Sequence, residues 1–447
     1  MVSKSGGFAA GVDDKRYDRA CLNQISILPT ARWSRFGIAA LQSRVGGERS
    51  VGTIVANGLE LAGAIKRPQL HSLTALRAFA ALSIFFHHLT TFGIDSPQSI
   101  LSTNLNLGVS FFFVLSGFVL SYSFDGEFQT PRDVRNFIFQ RFFRLWPLHI
   151  LCAFLAAASL WNRMSLVTAY LVTTLQNAWV PTYGTAYAYN GVSWSISVEL
   201  FFYLALPFIL SLRPRFMMLL ISGWTLAALG LLAFTVVLPR PVFPLPSEQW
   251  WLDLYITDES FAQFFPPLRM VEFLSGMAAY QLFKRRRIPD AWVAFCQIGA
   301  IVCLVGYMRV HAIIVQFFAD HSSDMAHDAY RAYGMYPLFA IAIYIFGHQS
   351  GMVARVLSCR PLVFCGEVSF AFYMIHQIVI RNLADNFEVD KEYGPLVATI
   401  AAAMISFLFS VLLHRTVERP CIDWAKRRFP MSKRARPLSA APVAALA

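Results

Sequence analysis

Charge is scarce in this sequence. Only 14% of the 447 residues are Asp, Glu, Lys or Arg, and 26 acidic residues face 38 basic ones. A soluble chain of this length would hold two or three domains with about a quarter of their residues charged. That class is excluded by composition. Metal and redox spacing is lacking too. The seven cysteines (Cys21, Cys152, Cys296, Cys303, Cys359, Cys365 and Cys421) form no CxxC and no Cys/His metal spacing. Most lie in or beside apolar segments, where a free thiol behaves as a small hydrophobe. Neither a zinc site nor a disulfide framework is expected. No cleavable signal peptide opens the chain, no internal repeat is visible, and low complexity is confined to the Ala/Pro tail after residue 435.

What the chain has in abundance is hydrocarbon. Hydrophobic residues make up 56% of it, with 40 phenylalanines. Apolar runs near twenty residues recur from position 73 to 414, which is the pattern of a multi-spanning helical membrane protein. The net charge of +12 would suggest a nucleic-acid partner for a soluble protein. In a membrane protein it reads as Lys and Arg in cytoplasmic connections, so no nucleic acid is expected and the lipid bilayer is.

The runs place ten spans near 73–92, 107–124, 145–161, 194–212, 216–238, 264–283, 291–308, 333–347, 362–381 and 394–414. A further segment, LVTAYLVTTLQNAWV at 166–180, is short, threonine-rich and contains Gln176 and Asn177. Charge decides whether it crosses. With ten spans and a cytoplasmic N-terminus, one set of connections carries Arg132, Arg135, Arg141 and Arg144, then Arg213 and Arg215, then Lys284 to Arg287, then Arg355 and Arg360. Lys426, Arg427 and Arg428 follow in the tail. The other set is mainly acidic: Glu248, Asp253, Asp258 and Glu259, then Asp320, Asp324 and Asp328, then Asp385, Glu388, Asp390 and Glu392. Its basic residues are isolated. This is the positive-inside pattern along the whole chain. A crossing at 166–180 would invert everything after it, so that segment is expected to be interfacial or re-entrant.

The expected fold is therefore all-α: a polytopic bundle of about ten transmembrane helices with both termini cytoplasmic. Residues 1–69 read as a disordered cytoplasmic extension with one weak helical stretch at 53–65. Residues 70–425 form the membrane domain, and 426–447 a basic, Ala/Pro-rich cytoplasmic tail.

Ionisable groups inside spans are functional candidates, because their desolvation must be compensated. ALRAFAALSIFFHH (75–88) carries two. Arg77 and His88 are eleven residues apart, about 1100° of helical rotation, so they share a face and lie roughly 16 Å apart along the axis. His87 points about 100° away. Snorkelling of Arg77 and a merely satisfied core histidine are the plain alternatives. In GVSFFFVLSGFVLSYSF (108–124), Ser116-Gly117 allows a bend or a close backbone approach, and small residues at helix contacts explain it equally well. In RNFIFQRFFRLWPL (135–148), at a helix entrance, Arg141 and Arg144 share a face. Their forked donors suit phosphates, and a positive-inside anchor is the alternative. Glu199 sits inside NGVSWSISVELFFYLALPF (190–208) with Tyr203 one turn on and able to hydrogen-bond it. Arg269 and Glu272 read as a self-neutralising pair. In GEVSFAFYMIHQ (366–377), Ser369, Tyr373 and His376 form one polar stripe, suited to a cavity wall or to packing.

In this order the pieces resemble the membrane-bound acyltransferase family 3. The resemblance covers roughly residues 70 to 425. It rests on the Arg-x10-His pair Arg77/His88, the FFxxSG motif Phe112-Phe113-Val114-Leu115-Ser116-Gly117 and the RxxR motif Arg141/Arg144 followed by Trp146-Pro147. SWSISVE ending at Glu199, SFAFYMIH ending at His376 and VERP at 417–420 complete it. Of the adjacent histidines, the family spacing selects His88.

The resemblance implies an O-acyltransferase in the inner membrane of a bacterium, with acyl-CoA (acetyl-CoA first, succinyl next) as co-substrate and no metal. The implied acceptor is a hydroxyl of an extracytoplasmic polysaccharide or other glycan. It further implies His88 as general base with Arg77 and Glu199 in catalysis, Glu199 either orienting His88 or holding the acceptor. Phe112, Phe113, Ser116, Gly117, Arg141 and Arg144 would hold acyl-CoA, while Tyr203, Ser369, Tyr373 and His376 would line the acceptor cavity. The competing class is a transporter or flippase of a polysaccharide precursor or small anion. Acylation of a lipid or small-molecule acceptor is the third reading.

The orientation is open to test. A green fluorescent protein fused after Arg287 is expected to fluoresce, and an alkaline phosphatase fused within 385–392 is expected to be active. The opposite pair of results would overturn the charge-based orientation.

Overall fold

The computed structural model describes residues 68–94, 105–160, 166–237, 256–321 and 324–432, all within one unit spanning Arg67–Lys433. The expected disorder of the N-terminal extension, the helical stretch at 53–65 and the tail beyond 432 lie outside the described residues. Among those residues the fold is all-α, with a single isolated bridge between Thr182 and Ile256. Each of the ten apolar runs falls on a helix. Eight described helices are long and apolar enough to cross a membrane. The other two runs, at Pro266–Arg285 and Tyr336–Phe346, are weakened respectively by four internal charges and by a length of 11 residues. Segment 166–180 yields only the eight-residue helix Leu166–Thr173 and irregular chain after it. Eight residues rise about 12 Å, too little to cross a hydrocarbon layer of about 30 Å.

Six helices position the site: α1 (His71–Thr91), α2 (Gly108–Phe124), α3 (Pro131–Leu160), α4 (Trp194–Ser211), α5 (Pro266–Arg285) and α6 (Arg360–Arg381). Burial ranks them. The most apolar window of the helical stretch 360–386 is 72% buried and that of 105–124 is 67%, whereas helix 290–317 is 11% buried and presents Phe295, Val302, Val305 and Ile313 outward. The first two are therefore central, and helix 290–317 is the rim against lipid. Proline opens several helices (Pro266, Pro361, Pro395), where its missing N–H costs nothing.

Glycine decides two central crossings. A Cβ on Gly366 would collide with the Thr74 carbonyl, and Cβ atoms on Gly117 and Gly276 would collide with the carbonyls of Phe273 and Val114. At both crossings the backbones touch, as small residues permit in membrane bundles. Contacts also fix direction. Gly366 meets Thr74, Phe372 packs on Phe85 and His376 meets His88, so α1 and α6 run parallel in register.

The basic connections gather at one end of the bundle. There Ser72 bonds the Phe346 carbonyl, Tyr122 the Pro68 carbonyl, Lys284 the Asp125 carboxylate, and Tyr344 the Arg286 carbonyl. Arg141 and Arg144 do not stand at a helix entrance, because α3 begins at Pro131, ten residues before Arg141. The predicted span at 145–161 is the second half of this 30-residue helix. Its start is held by chain from the far terminus: Asn136 donates to the Pro430 carbonyl at 2.8 Å, and the Ser432 N–H donates to Asp133 at 3.0 Å. A helix over Arg419–Arg428 delivers that segment and passes through the expected boundary at 425.

Substituting Gly366 by Ala should destabilise the protein by about 1–3 kcal/mol, the usual cost of overpacking. A thermal shift in detergent should register it, and unchanged stability would refute the close crossing.

Candidate active site

Two polar layers lie inside the apolar bundle, joined by α1. The first belongs to His88 and His376. His88 Nδ1 and His376 Nε2 are 2.9 Å apart. His376 is fully buried, stacked on Phe372 and bonded through Nδ1 to the Tyr373 carbonyl at 2.8 Å and the Phe372 carbonyl at 3.2 Å. His88 is only partly covered, with Phe92 stacked against it. Of the two adjacent histidines it is thus His88 that faces α6.

The second layer lies toward the start of α1. Glu199 accepts hydrogen bonds from Tyr203, one turn on in α4, and from Ser116 of α2 at 3.3 Å. Arg77, Arg141 and Arg144 all lie in the field of this carboxylate. The Arg141 guanidinium sits 4.9 Å over the Phe124 ring, with Phe137 and Tyr203 at 5.6 and 5.9 Å, and its Nε has no hydrogen-bond partner. A second carboxylate joins from a part of the chain that residue patterns had not flagged for chemistry. Glu418 is buried, holds His414 Nδ1 at 2.8 Å and acts electrostatically on Arg77 and Arg144. It ends a π-turn, His414–Glu418, a distortion often found at functional sites. The VERP motif was its only signal in sequence. Among the described residues neither Arg77 nor Arg144 has an ion-pair partner within 4 Å, so three guanidiniums share two carboxylates and keep one positive charge in excess.

The layers divide the sequence candidates. His88 and Arg77 are on the shared face, roughly 16 Å apart along the axis. Glu199 belongs to the arginine layer, and its hydrogen bonds go to Ser116 and Tyr203 rather than to His88. Gly117 marks the crossing with α5, and Phe113 is core, packed against Trp194 and Phe202. Phe112 meets the Tyr373 ring edge at 6.1 Å. The stripe on α6 separates likewise. Ser369 bonds the Gly366 carbonyl of its own helix, whereas Tyr373 bonds Ser195 at 2.8 Å and the Val192 carbonyl and so ties α6 to the segment at the start of α4. Only His376 of the three reaches α1.

Comparison with known proteins identifies the family. A family model described as an acyltransferase domain, of the acyltransferase 3 family, matches residues 70–415. The chain belongs to that family. The acyltransferase MdmB of Streptomyces mycarofaciens is 27% identical over 392 residues, covering 81% of this chain and 94% of the relative. A putative acetyltransferase, ORF330 of Acidianus two-tailed virus, is 25% identical over 308 residues, 69% of this chain and 82% of the relative. The O-acetyltransferase OatA of Staphylococcus aureus is 23% identical over 381 residues, 78% of this chain but only 57% of that longer protein. No solved structure matches.

This member of the acyltransferase 3 family is accordingly a polytopic membrane enzyme that transfers acyl groups. One buried ion pair stands apart from its two layers. Arg269 Nη2 donates to Glu272 Oε1 at 3.0 Å and Nε lies 2.8 Å from Oε2, both residues almost wholly buried. Rings of Tyr333, Phe113 and Trp194 surround the guanidinium at 4.9, 5.2 and 5.6 Å. The pair neutralises itself, as the spacing predicts, and it serves packing. Glu272→Leu alone should cost about 3–5 kcal/mol, whereas the double variant Arg269→Met/Glu272→Leu should recover most of that loss. Thermal unfolding in micelles checks this; equal stability of the single and double variants would contradict a structural role.

Proposed function

We propose that this acyltransferase moves an acetyl group, with succinyl as the second choice, from acyl-CoA to a hydroxyl of a polysaccharide or other glycan. The donor approaches from the cytoplasm and the acceptor from outside, across the inner membrane of a bacterium. The observation that carries the reading is the pairing of the two layers on α1. An excess of guanidinium charge at one level suits the phosphates of coenzyme A, and a partly exposed imidazole further along suits proton transfer. The long pantetheine arm bridges such a separation. The relatives' names, acyltransferase and O-acetyltransferase, support the chemistry.

In this reading Arg141 and Arg144 bind phosphate through forked, charge-assisted hydrogen bonds, Arg77 guides the donor along α1, and Glu199 and Glu418 hold the arginines apart. Ser116 and Tyr203 fix Glu199. At the other level, His88 takes the proton of the acceptor hydroxyl as its oxygen bonds to the thioester carbonyl carbon. The tetrahedral intermediate then collapses with cleavage of the C–S bond. The thiolate takes the proton back from His88, leaving free coenzyme A, the acyl ester and a neutral imidazole. The basic connections gathered at the arginine end agree with a cytoplasmic donor side.

His88→Ala should reduce glycan acylation by at least about 10²-fold, the lower range for general-base loss, with normal membrane insertion. Arg144→Ala should instead raise the acyl-CoA KM about tenfold or more, since one charged hydrogen bond is worth roughly 1.5–3 kcal/mol. Acyl transfer measured in proteoliposomes separates the two effects. Full activity of His88→Ala would sink the mechanism.

A further inference from the structure

The hydrogen-bond pattern around the two histidines fixes where their protons are. A backbone carbonyl can only accept, so His376 Nδ1, bonded to the carbonyls of Tyr373 and Phe372, must carry a proton. In the neutral imidazole its Nε2 is then a bare lone pair, able only to accept. The atom 2.9 Å away is His88 Nδ1, which must therefore be the donor. What remains unprotonated is His88 Nε2, at the far tip of a ring that is only partly covered.

From this geometry we infer that His376 is a positioning residue that locks His88 in the Nδ1–H tautomer and turns its basic Nε2 toward the acceptor hydroxyl. The inference rests on the reading of His88 as the general base and assigns His376 a part in that step instead of contact with the acceptor. The device is an imidazole in the place where a carboxylate often orients a catalytic histidine. The orienter here is a neutral side chain, whereas a carboxylate in the place of His376 would bring a charge into the bundle. When His88 takes the acceptor's proton on Nε2, its Nδ1–H bond to His376 persists and spreads the new charge. His376 itself gains and loses no proton, because its Nδ1–H stays on the Tyr373 carbonyl. Rigidity is built in: His376 is fully buried, stacked 5.9 Å from the Phe372 ring with the Phe85 ring tilted against it at 6.3 Å, and its helix is keyed to α1 at Gly366.

The test has an arm that needs no turnover. Solid-state NMR of the wild-type protein, ¹⁵N-labelled at histidine and reconstituted in lipid, should show His88 protonated at Nδ1 and bare at Nε2, with His376 in the same tautomer. A His88 protonated at Nε2 would overturn the inference whatever the activity. In the kinetic arm, His376→Ala should lower kcat about 10- to 100-fold, the usual effect of removing the group that orients an imidazole, with the acyl-CoA KM unchanged. His376→Gln, whose side-chain oxygen can accept the same proton, should recover most of that loss. Inactive His88→Ala together with fully active His376→Ala would remove the positioning role and leave the proposed function standing. Full activity in both variants would remove the function itself. Failure of Gln to rescue a folded protein that binds donor normally would also count against the tautomer lock.

Discussion

The approach of α1 and α6 at Gly366 sets the geometry on which the site depends. With no side chain at that position, the helix backbone rests on the Thr74 carbonyl, and the two helices run side by side without splaying. Phe85 against Phe372 continues the contact, and the next turn brings His88 and His376 within hydrogen-bonding distance. The apolar rings around the pair make the register strict. A slip of one residue would rotate each histidine by about 100°, leaving buried polar nitrogens unbonded at a cost of roughly 1–3 kcal/mol each. Packing and chemistry are therefore the same constraint in this pair of helices.

Charge obeys a different rule in each part of the bundle. The Arg269–Glu272 pair is closed: both charges are buried, matched and surrounded by rings. The layer around Glu199 is left open, with three guanidiniums for two carboxylates and an Arg141 Nε without a hydrogen-bond partner. Unmatched charge of this kind is expensive inside a membrane bundle. The same elements that build the membrane core, chiefly α2, α3 and α4, supply this layer.

Much of this was legible in the residues. Periodicity placed Arg77 and His88 on one face, charge distribution denied a crossing to 166–180, and i, i+3 spacing marked Arg269 and Glu272 as a pair. These readings are local, resting on helix geometry and on the cost of charge in hydrocarbon. Other expectations required knowing which helices touch. Ser369, Tyr373 and His376 share a face of one helix, yet they bind their own backbone, α4 and α1 respectively. Arg141 and Arg144 look like an entrance anchor until α3 is seen to begin at Pro131. Glu418 lies far along the chain from Arg77 and enters its layer only because the last long helix runs on through the π-turn to that level.

By itself, then, the sequence determined an all-α membrane enzyme of a known family, where its apolar helices lie along the chain and most of the polar groups placed within them. Hydrophobic length and backbone periodicity act along the chain and need no partner to be read. Tertiary structure alone decided which buried groups meet. It assigned Glu199 to the arginines, gave His88 a histidine in place of a carboxylate, and made His376 its neighbour from 288 positions away. Hydrogen bonds of about 3 Å depend on how helices cross, and those crossings are set by glycines and rings on other segments.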